Sequence, residues 1–481
     1  MNQVGILGWF SWWSVIGCMA VTSVIAANAA PANVLAWGIN DRGQTTLPQG
    51  LGDVTAADLG LDNGFALRAD GTVVAWGNTN YSVSIVPSEL SNVVALASGE
   101  SHCLALKSDG TVVGWGNDYA GQADVPPGLS NVIAIAAGFA HSLALKTDGT
   151  VTAWGAGTHD TGTFPDYGQS MVPADLTNVM AIAAGFGHSV ALTADGRVVA
   201  WGAGTKYDGG FNLGQSIVPT NLQDVVSIAA SYWCTLALTS KGTVVVWGDN
   251  SAGQTNVPSD LANVVAIEGG DDHHLALKAD GTVKGWGLNY FGEADPPPNL
   301  SNVVWIAAGA SDSAAVFNDG SPAIVRAPFT QSALPGTDVA LRVAAVGQPP
   351  LSYQWLHDGI TVAGATNTSL ALTDIPLKAA GGYQCMVSNL IGTVTSPAGF
   401  LTVPRTTPYF DETSSLLGFS ARGFGLPLKG LSGHGELVIS ASTNFVDWEP
   451  ILTNPPAAGS VLLFDEAAAN AAVRLYRAIE R

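Results

Sequence analysis

Residues 141–155 read HSLALKTDGTVTAWG, and close variants of this phrase occupy residues 102–116 and 273–287. Apolar residues alternate with small or polar ones on both sides of a Thr-Asp-Gly turn, which is the pattern of an antiparallel hairpin. A tight hairpin turn requires a positive φ, and Asp-Gly adopts it at little cost. The phrase therefore predicts two short paired strands that end in a Trp-Gly dipeptide.

Two dipeptides mark copies of this phrase along the chain. Trp-Gly begins at residues 37, 76, 115, 154, 201, 247 and 286, in steps of 39, 39, 39, 47, 46 and 39. Asp-Gly begins at residues 70, 109, 148, 195, 280 and 319, and Lys241-Gly242 takes the remaining place. Seven copies of each marker predict seven repeats of one unit, and the two long steps carry matching insertions after Trp-Gly.

Each repeat is expected to form four strands. Residues 131–138 (NVIAIAAG) predict a strand buried on both faces, the hairpin follows, and residues 122–126 (QADVP) predict a weak edge strand that tolerates proline. Four antiparallel strands repeated radially make a seven-bladed β-propeller, an all-β fold. The last repeat lacks its Trp-Gly strand, and residues 33–38 (NVLAWG) supply one. The N-terminal strand is therefore expected to close the ring, which leaves no open edge.

The repeated phrase, GxxHSLALKxDGTVxAWGxNxxGQxxVP, resembles the repeats of the regulator-of-chromosome-condensation propeller family over residues 33–320. The 39-residue period is most similar to the short-repeat bacterial branch of that family, which includes a secreted protein inhibitor of β-lactamases. The resemblance implies a propeller over residues 30–323, whose partners are set by its loops. In the inhibitor-like propellers, it implies that one loop face binds a protein.

Residues 324–403 resemble an immunoglobulin-like β-sandwich of the intermediate type. Trp355 in YQWLHDG and Tyr383 in GGYQC match the core tryptophan and the corner tyrosine of that fold. Val343 stands where the first core cysteine would be, so Cys385 is expected to be unpaired. This domain is therefore expected to hold by packing alone.

The two ends of the chain predict export. Residues 1–29 are an uncharged apolar run that ends among small residues, as in a cleaved secretory signal peptide. The run is also long enough for a retained membrane anchor, and Cys18 in VIGC resembles a bacterial lipidation site. Residues 404–481 resemble a small C-terminal β module of large exported bacterial proteins. The protein is expected to be secreted or held at the cell surface.

Composition and charge exclude several classes of function. Charged residues make up 12% of the chain and glycine numbers 57, which suits many short strands joined by tight turns. Residues 30–323 carry 27 acidic against 9 basic side chains, a net charge of −18 that repels nucleic acid. Metal-binding CxxC and HExxH spacings are absent, so neither a metal nor another cofactor is expected.

The residues that recur in the repeats are interpreted as parts of the fold. One column reads Asn63, His102, His141, His188, Cys234, His273 and Asp312. Equivalent residues of different blades lie around a wide ring, too far apart for a shared ion, which needs ligands at about 2 Å. These histidines are expected to bond backbone groups of the turns, and the regular tryptophans are expected to pack between blades. No catalytic residue is assigned.

The binding site is expected where the repeats differ. In a four-stranded blade, the loop between the first two strands and the loop after the third emerge on the same face. Aromatic and acidic residues gather in these loops, a composition typical of interface anchors. The candidate binding residues are Tyr81, Glu100, Tyr119, Phe139, Tyr167, Phe186, Tyr207, Phe211, Tyr232, Trp233, Asp271, Asp272, Tyr290 and Phe291. The alternative is that several of these rings fold over their own loops.

The sequence favours a monomeric, exported, non-catalytic protein that binds a protein or a glycan through this loop face. One alternative is a secreted polysaccharide-active enzyme using acids such as Asp271, Asp272 and Glu100. Another is guanine-nucleotide exchange, which the family resemblance implies but which export and the acidic surface disfavour. A purely structural surface protein would show no concentration of exposed aromatic residues.

Overall fold

The structure is a computed structural model that describes residues 33–78, 82–205, 207–209, 212–403, 409–410, 414, 417–420, 423–432, 437–443, 446–454, 458–470 and 475–480. It is an all-β protein, with short 3₁₀ turns at Leu377–Ala379 and Glu466–Asn470 and no α-helix within these ranges. No helix in the described part of the chain is long and apolar enough to cross a membrane. The predicted leader, residues 1–29 with Cys18, lies outside the described residues.

Seven three-stranded antiparallel sheets form the blades. The inner strands, which line a central channel, are Val54–Leu59, Val93–Ser98, Val132–Ala137, Val179–Ala184, Val225–Ala230, Val264–Gly269 and Val303–Ala308. The middle strands are Asn63–Arg68, His102–Lys107, His141–Lys146, His188–Thr193, Cys234–Thr239, His273–Lys278 and Asp312–Phe317. The outer strands of blades 1 to 6 are Val73–Gly77, Val112–Gly116, Val151–Gly155, Val198–Gly202, Val244–Gly248 and Val283–Gly287.

The N-terminal strand closes the ring as the sequence predicts. Asn33–Gly38 pairs antiparallel with Asp312–Phe317 and becomes the outer strand of blade 7. The indole N–H of Trp37 donates to the backbone oxygen of Glu293 at 2.9 Å, across 256 residues of chain. The first and last parts of the propeller are thus joined in one blade, which closes the ring and leaves only the short outer edge of each blade.

The expected fourth strand is not formed by the described residues, which give each blade three strands. In blade 2 the segment around Gln122 makes turns instead of a ladder. The side-chain oxygen of Gln122 accepts a hydrogen bond from the N–H of Ala120 at 2.9 Å, and its backbone oxygen accepts one from the indole N–H of Trp154. Because side chains satisfy these backbone groups and the following proline has no N–H, strand pairing is unnecessary there.

The Asp-Gly turns have the predicted construction. Gly149 has φ +76°, and Oδ1 of Asp148 accepts the N–H of Thr150 at 3.0 Å. Lys146 lies 3.6 Å from the same carboxylate. The turns therefore use their polar residues locally, at the end of the propeller opposite the candidate loops.

The described chain divides into two compact units. The first contains the propeller and extends over residues 33–327, 343–354 and 385–397. Beyond the blades it includes Ala323–Arg326 paired with Ala344–Val346, and the end of Gly381–Ser388 paired with Thr393–Thr395. The second unit contains residues 328–342, 355–384 and the described residues from 398 onward.

The second unit contains the expected immunoglobulin-like features. Trp355 is fully buried, and its indole donates to the backbone oxygen of Asn367 at 2.9 Å. The hydroxyl of Tyr383 donates to the backbone oxygen of Ala379 at 2.9 Å, which is the tyrosine corner. The strands of this unit are Gln331–Ser332, Val339–Arg342, Ile360–Thr361, Ser369–Leu372 and Gly399–Thr402, and the strands Ser352–His357 and Gly381–Ser388 each have residues in both units.

The three described cysteines, Cys103, Cys234 and Cys385, are buried free thiols, so this part of the chain contains no disulfide. The prediction of an unpaired Cys385 is therefore confirmed. Burial raises the pKa of the Cys385 thiol to about 11 and that of Cys234 to about 12. Both therefore remain protonated at neutral pH.

The C-terminal residues form two further sheets. Gly423–Ser432 pairs with Ala458–Asp465, and Leu437–Ser442 lies between two neighbours in the other sheet. The other described strands are Tyr409–Phe410, Gly418–Ser420, Glu449–Asn454 and Leu475–Glu480. The core is aliphatic, with Leu428 and Ile439 fully buried, and Tyr476 stacks on Phe424 at its border.

Candidate binding site at the mouth of the propeller channel

A repeated hydrogen-bond network joins each blade to the next and fixes the loops above it. The indole of Trp154 and the hydroxyl of Ser142 both donate to the backbone oxygen of Gln122 in the preceding blade, at 3.0 and 2.8 Å. The same hydroxyl lies 3.0 Å from Nε2 of His102. Because Gln122 takes the hydroxyl hydrogen, Nε2 of His102 must be the donor to Ser142.

Three further seams repeat this contact with the same geometry. They combine His141, Ser189, Gln169 and Trp201; His188, Thr235, Gln215 and Trp247; and His273, Ser313, Glu293 and Trp37. Burial lowers the pKa of His102 and His141 to about 3 and that of His188 and His273 to about 4. These imidazoles are therefore neutral at pH 7.

These histidines are parts of the fold, but their partner differs from the prediction. They bond a hydroxyl of the next blade rather than the backbone of a turn. The tryptophans do pack between blades, as expected, and each also donates one hydrogen bond across the seam. No group of three potential metal ligands occurs among the described residues.

The candidate loops do emerge on one face. The loop between the inner and middle strands bonds the segment after the outer strand in every blade, for example Asn117 N–H to Ser101 O at 2.8 Å and Ala156 N–H to Ala140 O at 2.8 Å. We call this surface the loop face. The channel opens at its centre.

Hydrogen bonds between neighbouring loops hold the channel opening in shape. The N–H of Phe139 donates to Gly185 O, that of Phe186 to Tyr232 O, and that of Tyr232 to Gly270 O, at 3.2–3.3 Å. Glycines permit this approach: a Cβ on Gly185 would lie 2.3 Å from a ring carbon of the histidine three residues on. The opening, which we call the mouth, encloses about 90 Å³.

Phe139, Phe186 and Tyr232, of blades 3, 4 and 5, line one side of the mouth, and two further rings pack against Phe186. The ring of Phe186 lies 4.4 Å from Phe139, 4.4 Å from Tyr232 and 4.7 Å from Trp233, measured between centroids. Phe164, from the insertion of blade 3, stacks on Phe186 at 5.7 Å and is 48% exposed. These five rings form a continuous surface, which we call the aromatic side.

Acidic residues of the remaining four blades lie on the other side: Asp271 and Glu100 line the mouth, and three more acids interact electrostatically with these two. The five acids are Asp271 and Asp272 of blade 6, Asp312 of blade 7, Asp62 of blade 1 and Glu100 of blade 2. Burial, and then neighbouring carboxylates, raise the pKa of Asp271 and of Glu100 to about 7. We call these five residues the acidic side.

The structure brings together part of the predicted site and moves two residues out of it. Tyr167 and Phe186 are 4% and 6% exposed, so the prediction that they are exposed anchors is wrong. The insertion hairpin, Asp160–Thr163 and Asp166–Tyr167, folds back on the neighbouring loops and buries these rings. This is the alternative in which rings fold over their own loops.

Other predicted residues remain accessible or lie outside the described part. Tyr119, Tyr290 and Phe291 are 55%, 81% and 53% exposed on the loop face. Asp272 accepts a hydrogen bond from Gln254 at 2.9 Å. Tyr81 and Phe211 lie outside the described residues, and for Tyr207 only the backbone strand Tyr207–Gly209 is described.

Sequence reasoning missed three residues that interact with the lining of the mouth. Phe164 lies in an insertion that has no counterpart in most repeats. Asp62 precedes a residue of the histidine column and Asp312 belongs to that column, whose regular recurrence indicates a structural role. The sequence does contain a signal for Asp312. In the four histidine seams the hydroxyl comes from the residue that follows the column residue of the next blade. For Asp312 that position is Gly64, which has no hydroxyl and where Trp76 fills the space.

A second pair of acids lies deeper, in the channel itself. Asp58 and Glu268 project among the alanines of the inner strands around a cavity of about 150 Å³. Oδ2 of Asp58 accepts the N–H of Ser98 at 2.7 Å, and burial raises its pKa to about 7. Burial and then Asp58 raise the pKa of Glu268 well above its ordinary value.

Comparison with known proteins agrees with this architecture. Residues 93–122, 132–160, 180–207, 225–254 and 264–293 match the family model "Regulator of chromosome condensation (RCC1) repeat". The solved structure of Kap60 bound to yeast RCC1 (Prp20) contains a similar fold, with a TM-score of 0.50 and 17% identity. That similarity covers 66% of this chain and 96% of the other.

The later part of the chain is similar to immunoglobulin-like proteins. The tandem Ig repeats of Dlar align with 20% of this chain and 70% of theirs, at 19% identity and a TM-score of 0.16. The neuronal-glial cell adhesion molecule of Gallus gallus is 26% identical over 88 residues, 16% of this chain. The chain spans only 7% of that curated relative's length. The chain therefore contains RCC1 repeats, five of which the family model matches within the seven-bladed propeller, and the region after them has the buried tryptophan and the tyrosine corner of an immunoglobulin-like fold.

Proposed function

We propose that this is an exported, non-catalytic binding protein that recognises a protein partner through the loop face of its propeller. The observation that carries the proposal is the concentration of exposed aromatic rings on that face, at Tyr119, Phe164, Tyr290 and Phe291. Aromatic residues surrounded by polar groups are enriched at protein interfaces and provide much of their binding energy.

Two further observations support a binding role. The hydrogen-bonded seams and the ring of loop-to-loop bonds make the loop face rigid, which lowers the entropic cost of association. In the similar solved structure, yeast RCC1 (Prp20) is bound by another protein, Kap60. That similarity, at 17% identity, concerns the fold, so the partner of this chain must be found by experiment.

A capture experiment with the full chain tests the proposal. The variant Tyr119→Ser/Tyr290→Ser/Phe291→Ser removes three exposed rings, and Ile360→Ser/Leu390→Ser removes exposed apolar side chains from the immunoglobulin-like region. We expect the control variant to recover the wild-type partners and the loop-face variant to lose them. Equal recovery by both variants would contradict the proposal, and recovery of glycans alone would replace the protein partner with a carbohydrate.

A second candidate is hydrolysis of a polysaccharide. The observation that favours it is that Glu100 and Asp271 have pKa values raised to about 7 at one cavity, as a general acid requires. Release of reducing sugar from soluble polysaccharides, abolished in Glu100→Gln and Asp271→Asn, would establish an enzyme. Binding of the same polysaccharides without hydrolysis would return the assignment to a binding protein.

A further inference from the structure

Resting on the proposed function, we infer that the mouth binds a basic side chain of the partner protein, the guanidinium of arginine or the ammonium of lysine. The juxtaposition behind this inference is a ring of seven loops with acids on blades 6, 7, 1 and 2 and aromatic rings on blades 3, 4 and 5. A cation placed between them would contact carboxylates on one side and the faces of rings on the other.

The acids of the mouth have no cation of their own. None of the ion pairs found among the described residues includes Asp62, Glu100, Asp271, Asp272 or Asp312. The lysines of the hairpin turns instead pair with aspartates at the opposite end of the propeller, as Lys107 does with Asp109 at 3.3 Å. The acidic side therefore has no basic partner among the described residues, and each of its carboxyls that ionises adds negative charge to a site with low-dielectric walls.

Buried carboxylate oxygens without partners point to a missing donor. Asp312 is fully buried, and neither of its oxygens has a hydrogen-bond partner within the described residues. Its carboxylate lies against Gly309, which lines the mouth, and interacts electrostatically with Asp271 and Asp62. Oε2 of Glu100 is likewise buried without a partner in the described structure. Such groups cost free energy unless a ligand satisfies them.

The aromatic side meets the acids at Tyr232. Its ring lies 4.4 Å from that of Phe186 and 6.0 Å from that of Phe139, between centroids. Burial is the largest cause that raises the pKa of its hydroxyl, and the nearby carboxyls of Glu100 and Asp271 raise that pKa further. The phenol is therefore neutral and can accept a hydrogen bond from a cation. The 90 Å³ cavity admits a small cationic head, whereas the acids include no group of three that could hold a metal.

Binding of a cation should depend on pH. The groups that face Glu100 and Asp271 are Asp62, Asp272 and Asp312, together with the phenols of Tyr119 and Tyr232. In the free protein these two carboxyls lose their protons only near pH 7, and a cation favours the ionised form. Affinity should therefore rise with pH between 6 and 8, and protons should be released on binding.

Fluorescence anisotropy with a fluorescein-labelled peptide of alternating glycine and arginine tests the inference on the full chain. The matched peptide contains citrulline, which keeps the shape of arginine without its charge. At pH 8 and 0.15 M salt we expect the arginine peptide to bind at least tenfold more tightly. Equal affinity for the two peptides would overturn the inference.

Matched variants locate the binding. We expect Glu100→Gln/Asp271→Asn to weaken the arginine peptide at least tenfold and to remove its pH dependence. Asp109→Asn/Asp148→Asn removes the same charge at the opposite turns and should change affinity less than twofold, because screening at this salt acts within about 8 Å. Equal weakening by both variants would show attraction to net charge alone and would overturn the inference.

The capture experiment separates the two proposals. If Glu100→Gln/Asp271→Asn retains the partners that the loop-face variant loses, the proposed function holds and the cation site is wrong. If the arginine peptide binds at the mouth but the loop-face variant recovers every partner, the cation site holds and the proposed use of the exposed rings is wrong.

Discussion

Replacement of Ser142 by alanine should destabilise the propeller through a group in another blade. The Ser142 hydroxyl donates to Gln122 O at 2.8 Å and accepts from Nε2 of His102 at 3.0 Å, and all three residues are fully buried. After Ser142→Ala, Gln122 keeps the indole of Trp154, whereas the imidazole N–H has no acceptor. A buried unsatisfied donor costs about 1–3 kcal/mol, and the lost bond to Gln122 adds about 1 kcal/mol.

A double-mutant cycle isolates the contribution of the histidine. We expect Ser142→Ala to lower the free energy of unfolding by about 2–4 kcal/mol in the wild type but by only about 1 kcal/mol in the His102→Ala background. The measurement is urea-induced unfolding at pH 8, followed by tryptophan fluorescence. At that pH His102 is neutral in both states, because burial lowers its folded pKa to about 3 from an ordinary 6.5. An equal cost of Ser142→Ala in both backgrounds would refute the reasoning.

Three other changes should separate parts of the fold. Asp58→Asn should stabilise the protein at pH 8 by up to a few kcal/mol and leave its stability unchanged at pH 3. The folded pKa of Asp58 is raised to about 7, so ionisation of this carboxyl destabilises the folded state as the pH rises past 4. Urea unfolding curves of both proteins at the two pH values measure this difference. Gly99→Ala should cost more than 2 kcal/mol, because its Cβ would lie 2.3 Å from Gly138 O, whereas Gly121→Ala, with open space at φ +78°, should cost about 1 kcal/mol by the same measurement. Deletion of residues 33–38 should open the ring and shift hydrogen exchange of Asp312–Phe317 towards rapid exchange; unchanged protection would contradict closure by that strand.

The sequence predicts the propeller well because its evidence is repeated. Seven Trp-Gly markers and a missing last strand determine the blade count and the closure, and Asn33–Gly38 pairs where expected. The fourth strand was predicted wrongly because alternating residues around Gln122 are compatible with an edge strand. In the structure, a side chain or the tryptophan of the next blade already makes hydrogen bonds to the backbone groups of this segment. Those bonds are tertiary contacts, and a periodic sequence pattern does not show them.

The site is only half predictable for a related reason. The variable loops indicate the correct face, but burial within it depends on how the insertion hairpin folds, and this is why Tyr167 and Phe186 were misjudged. Asp312 was overlooked because it stands in a structural column. The difference at Asp312 is apparent only from its neighbour in the next blade, where Gly64 takes the position that holds a hydroxyl in the four histidine seams.

The distribution of these departures favours the mouth as the functional part of the propeller. Four seams give Nε2 of their histidine a hydroxyl partner, whereas the seam of Asp312 leaves both oxygens of a buried carboxyl without a partner in the described structure. An unsatisfied acid lowers stability, and a histidine–serine pair at that seam would fit the pattern of its neighbours. Local rules are broken mainly where function requires it. The two acids with unpartnered oxygens in the described structure, Asp312 and Glu100, both interact electrostatically with Asp271, whereas His274 of blade 6 is a buried side chain whose two ring nitrogens also have no partner there. A scaffold under selection for stability alone would have no reason to collect its unpaired acids at one opening.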